Sequence, residues 1–79
     1  MQVKVLGPGC ARCRKLEDMA REAARQAGVE VEVEHVTDLA AIADAGVMST
    51  PGLMIDNRLV MSGRLPRPEE IVTWMGQAQ

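Results

Sequence analysis

With 79 residues, 47% of them hydrophobic and 25% charged, the chain reads as one small domain, 1–79, with material for a single modest core. A net charge of −2, no basic tract, and one Trp without any Phe or Tyr exclude nucleic acid as the main ligand, since phosphate neutralisation and base stacking both lack the residues they need. No apolar run approaches the roughly 20 residues of a membrane span, and Met1–Leu6 lacks the basic start and long apolar stretch of a signal peptide, so a cytoplasmic chain without membrane contact is expected.

Gln2–Leu6 is rich in β-branched and apolar residues and predicts a strand, which Gly7-Pro8-Gly9 breaks. From Cys10 to Ala27 the period changes to helical: Cys13, Leu16, Ala20, Ala23, Ala24 and Ala27 recur at spacings of three and four, and Glu17 and Arg21 fall on a more polar face as an i,i+4 pair. Gly28 is a natural residue just past the helix end. Val29–His35 alternates strictly, with Val29, Val31, Val33 and His35 against Glu30, Glu32 and Glu34. That pattern predicts a half-buried strand with one charged face, at a sheet edge. Thr37 or Asp38 caps a short second helix running through Asp44, and Gly46 ends it.

Val47–Thr50 reads as a loop closed by Pro51, and Met48 within it as ordinary packing. Gly52–Asp56 is a short strand, Asp56-Asn57 a tight turn and Leu59–Ser62 the returning strand, ended by Gly63. Pro66 and Pro68 frame the start of a last helix, with Pro68 at its first position and Glu69 and Glu70 in its first turn. Ile71, Val72, Trp74 and Met75 give that helix its apolar face. The order is βαβαββα, an α/β chain whose first βαβ unit is parallel and whose closing ββα adds an antiparallel hairpin. The core has to be built from aliphatic side chains and six Met.

The chemistry concentrates at Cys10-Ala11-Arg12-Cys13, a C-x-x-C where a strand passes into a helix. Residues three apart in a first helical turn lie on one side, so the two sulfurs can close a short disulfide ring. Unpaired N–H groups and the helix dipole favour a thiolate on Cys10, the dipole by about 0.3–1 kcal/mol. Arg12, Arg14 and Lys15 add positive charge in the same region. Three cations at a helix N-terminus oppose helix stability, and such a local conflict points to function. Two other readings of the pair exist. One is a fixed disulfide or two inert thiols, which a cytoplasmic setting disfavours. The other is soft-metal binding, Cu(I) on two thiolates or Zn. A closed zinc site takes four ligands, and beyond the two cysteines His35 is the one strong candidate. His35 itself reads as a polar strand end in preference to a catalytic base.

Cys10-Ala11-Arg12-Cys13 and Thr50-Pro51-Gly52, at this separation and in this element order, resemble the thioredoxin superfamily. The opening Gly7-x-Gly9-Cys10-Ala11-x-Cys13 and the run Ala45–Gly52 are most similar to its small thioredoxin/glutaredoxin-like redox-active disulfide proteins. The resemblance covers essentially the whole chain. It implies a thioredoxin-like fold with a four-stranded mixed sheet flanked by helices, and thiol–disulfide exchange with Cys10 as attacking and Cys13 as resolving thiol. It further implies a cis Thr50–Pro51 bond facing the pair, with the backbone before Pro51 pairing with an extended substrate, and a Gly63 that leaves room for that substrate. The implied partners of the monomeric chain are a disulfide-containing protein and an upstream reductase, with no prosthetic group. The chain departs from typical thioredoxins in lacking a Trp before the first Cys and Gly-Pro between the two. It also has no acidic residue in the first strand, where Lys4 is the nearest charge, so the proton acceptor for Cys13 is left open.

Overall fold

The computed structural model describes residues 1–9 and 11–78. In chain order the elements are β1 (Gln2–Leu6), α1 (Ala11–Ala27), β2 (Glu32–Val36), α2 (Leu39–Asp44), β3 (Gly52–Ile55), β4 (Arg58–Ser62) and α3 (Pro68–Ala78). The strands form one sheet in the order β2-β1-β3-β4. β1 and β2 run parallel, while β1–β3 and β3–β4 are antiparallel. The architecture is therefore α/β with a mixed sheet.

β2 starts later than the alternation of Val29–His35 suggests and extends one residue further. Its ladder begins where Glu32 N–H donates to Met1 O at 2.9 Å, and Gln2 is opposite Glu32. Residues 29–31 lie outside this ladder, although the Met1 amino group donates to Glu30 O at 3.1 Å. Val29 instead completes the end of α1: its N–H bonds to Ala24 O at 3.0 Å and that of Gly28 to Arg25 O at 3.3 Å. This is the Schellman pattern, and it needs the left-handed φ of +71° that Gly28 supplies. The same pair of bonds, Gly46 to Ala43 and Val47 to Ile42, closes α2. Asp38 caps the start of α2, accepting from Ala40 N–H.

The sheet carries two unequal apolar layers. On one side Val3, Val5, Leu53, Ile55 and Met61 pack against Cys13, Leu16, Ala20, Ala23 and Ala24 of α1 and against Ile71 and Met75 of α3. On the other, Leu6 clusters with Ile42 of α2 and Val47, with Val36, Ala45, Met54 and Leu59 packed around them less deeply. β4 contributes to both. Leu59 and Met61 would share a face in a regular strand, but β4 is bulged, with Leu53 opposite Met61 and the adjacent Met54 opposite Leu59. The extra residue, Val60, turns Leu59 toward the α2 layer and leaves Met61 in the larger core.

Asp56 and Asn57 both take positive φ, 49° and 67°, as a two-residue hairpin turn requires. The Asp56 carboxylate accepts Gln2 N–H at 2.8 Å, and the Asp56 N–H donates to Gln2 O at 2.8 Å, pinning the turn to the start of β1.

Candidate functional site

Cys13 is fully buried on the inner face of α1, two residues into the helix. Cys10 lies outside the described residues. The wall facing Cys13 is Gly7, held at the end of β1 by an N–H bond to Val36 O of 2.9 Å. A Cβ on Gly7 would overlap Cys13 Sγ and would lie 3.6 Å from Thr50 Cβ. Sulfur, glycine backbone and Thr50 thus converge at one point, although 36 residues lie between Cys13 and Thr50 in the sequence.

The Thr50–Pro51 peptide is cis, and the Pro51 ring is buried. Two glycines hold this loop. Gly63 N–H donates to Pro51 O at 2.9 Å, and a Cβ on Gly63 would stand 3.2 Å from Ser49 Cβ. Gly52, which opens β3, lies under Val47, whose Cγ2 would be 2.7 Å from a Cβ there. Gly63 is therefore closely fitted to its own chain's loop, a contact that the pattern of the sequence does not reveal. Val47 turns inward onto Gly52, and Met48 turns outward and is 96% exposed. The expectation that Met48 packs is thus corrected: the tight Val47–Gly52 contact leaves the next side chain on the solvent side of the loop.

The connection that leaves Gly63 is tied down electrostatically. Arg64 grips Glu70 through two hydrogen bonds, 3.1 and 2.9 Å, and Glu70 also accepts Arg67 N–H at 2.9 Å. The Arg64 hydrogen bonds first, then the Arg67 backbone bond, hold the Glu70 carboxyl down at about 2. Pro68 follows as the first residue of α3, so Glu70 reaches back over the helix start as the third residue of a capping box does.

Arg12, Arg14 and Lys15 are all exposed on the outer side of the start of α1, and no acidic residue occupies its first turn. The local field at the motif is positive. Among the described residues, no helix is long and apolar enough to cross a membrane.

Sequence comparison agrees with this geometry. The family model described as a thioredoxin domain matches residues 1–76. A thioredoxin of Methanothermobacter thermautotrophicus is 39% identical over 71 residues, covering 90% of this chain and 92% of that protein. A thioredoxin of Methanocaldococcus jannaschii is 33% identical over 69 residues, covering 87% of this chain and 79% of that protein. A four-stranded mixed sheet, a buried Cys13 in the first helix and a family match over nearly the full length together show that the chain belongs to the thioredoxin family of thiol–disulfide oxidoreductases.

Proposed function

We propose that the chain exchanges electrons with a disulfide in a partner protein through a Cys10–Cys13 dithiol. The observation that supports this reading is the meeting of Cys13 Sγ and Thr50 at Gly7, which brings one of the two cysteines beside the loop that would receive substrate. The positive field of Arg12, Arg14 and Lys15 and the helix start favour a thiolate on Cys10.

The chemistry balances in two displacements. The Cys10 thiolate attacks one sulfur of the partner disulfide, that S–S bond breaks, and the second partner sulfur leaves as a thiolate. Cys13, deprotonated, then attacks the Cys10 sulfur. The Cys10–Cys13 bond forms, the mixed disulfide breaks, and the partner departs reduced by two electrons. An upstream reductase must return those electrons. During the exchange an extended segment of the partner lies along the backbone at Thr50, beside Pro51 and Gly63. The protein works as a cytoplasmic monomer and needs no prosthetic group.

A redox titration followed by mass tests the couple. The dithiol and disulfide forms should interconvert with a mass difference of two hydrogens, and alkylation at neutral pH should label Cys10 before Cys13. Cys13→Ser should accumulate a mixed disulfide with the partner. Failure to form any disulfide under mild oxidant would overturn the reading.

A further inference from the structure

His35 sits on β2 opposite Val5, so its side chain shares the sheet face that carries Val5, Val33 and the buried cluster containing Cys13. The residue is half-buried, yet its Nε2 is enclosed and has no hydrogen-bond partner among the described residues. Enclosing a polar atom without a partner is unfavourable, and such an atom in a folded protein calls for a specific explanation.

Its position supplies one. The ring carbon between the two nitrogens, Cε1, lies 4.0 Å from where a Cβ on Gly9 would be, and Gly9 immediately precedes Cys10. The next residue, Val36, holds Gly7 N–H, and Gly7 abuts Cys13 Sγ. The imidazole therefore lies against the loop that leads into the motif. The charged groups around it leave it without a carboxylate. Glu32 and Glu34 of β2 and Lys4 of β1 alternate to the opposite face. Asp38 is turned to its cap on α2. Arg12, Arg14 and Lys15 of α1 are exposed.

We propose that His35 is the proton acceptor of the Cys10–Cys13 dithiol. When a motif thiol ionises, its S–H bond breaks, the electron pair stays on sulfur, and the proton forms an N–H bond at Nε2. No electron changes hands, and the reverse step returns the proton. The role gives a use to a polar atom that has no hydrogen-bond partner among the described residues. It deepens the disulfide-exchange reading and rests on it for its place in the cycle.

Two titrations of the full chain under reducing conditions test the assignment. The ultraviolet absorbance of the thiolate is followed against pH in the native chain and in His35→Gln. The His35 ring resonances are followed in the native chain and in a Cys10→Ser, Cys13→Ser double variant. The thiolate midpoint should rise in His35→Gln by enough to cut the thiolate fraction at neutral pH about tenfold, the equivalent of one pKa unit. The His35 midpoint should be higher in the native chain than in the double variant. A merely structural histidine would move neither. Equal thiolate midpoints, or equal His35 midpoints, would overturn the proposal. If His35→Gln does not fold, the comparison with the double serine variant decides alone. Absence of a reversible disulfide would defeat the exchange reading, while the two midpoints would still judge His35.

Discussion

Gly7 has no room for a side chain, and the reason is one atom. The space a methyl group would take is held by Cys13 Sγ, which is buried and can move only by rotating about a single bond. Gly7→Ala should therefore lower stability by about 1–3 kcal/mol through overpacking. In a Cys13→Ala background the loss should be smaller, with a coupling of about 0.5–3 kcal/mol in a urea-denaturation cycle. Equal losses in both backgrounds would mean that the sulfur is not the obstacle. The cations at the motif act more weakly, because they are exposed. Replacing Arg12, Arg14 and Lys15 together by Gln should raise the Cys10 midpoint by less than about one unit, in line with surface charge effects of about 0.3–1 kcal/mol. The salt dependence of Cys10 alkylation should fall with it. An unchanged salt dependence would remove these side chains from the proposed thiolate site. Sequence alone marked Cys10, Cys13 and the three cations, because their chemistry is local. It marked Gly7 as a strand breaker and as part of the Gly7-x-Gly9-Cys10 opening but not as a neighbour of the Cys13 sulfur, because that contact exists only once α1 has folded back onto the sheet.

The elements follow their local signals where a cap or a periodic face decides them. Gly28 and Gly46 end their helices, Asp38 starts one, and the Glu17–Arg21 pair forms at 2.9 Å. Patterns that needed a neighbouring strand were read less well. The valine–glutamate alternation runs through residues 29–31, but the ladder with β1 starts only at Glu32, because Val29 is taken up by the end of α1. The bulge at Val60 was likewise hidden, since it answers to two cores at once. The start of α3 gives a prediction that turns on pH. Glu70 is held at about 2 against an ordinary value of 4.5, chiefly by Arg64. A carboxyl depressed in the folded state contributes stability above its unfolded value and loses it as the pH falls through the folded one. The native chain should therefore lose stability as pH is lowered from about 4.5 toward 2, and Glu70→Gln should flatten that part of the curve. Denaturation midpoints across this window would check it, and parallel curves for the two chains would refute it.

At the scale of the whole molecule, the βαβαββα order and the mixed sheet were legible because each element carries its own periodicity. The inequality of the two layers was not, since apolar residues on either face of a strand look alike in sequence. α1 and α3 cover one face with a continuous buried cluster, while the other face depends on α2, six residues long, and on Leu6, Ile42 and Val47. A native chain opens in pieces, and the pieces with the fewest buried contacts open first. Amide hydrogen exchange should therefore resolve two tiers. The amides of Ile42, Ala45 and Val47, whose bonds run from the start of α2 to its end, should exchange through partial opening at a free energy well below that of global unfolding. Those of Ala20, Ala23 and Ala24 in α1 should exchange only when the chain unfolds entirely. A single tier, with α2 as protected as α1, would show that the thin layer is cooperative with the thick one. With two tiers, the segment from Val47 to Thr50 hangs from the part of the fold that breathes, while Cys13 is fixed in the part that does not. The loop could then adjust to partner segments of differing shape at little cost to the helix that carries the motif.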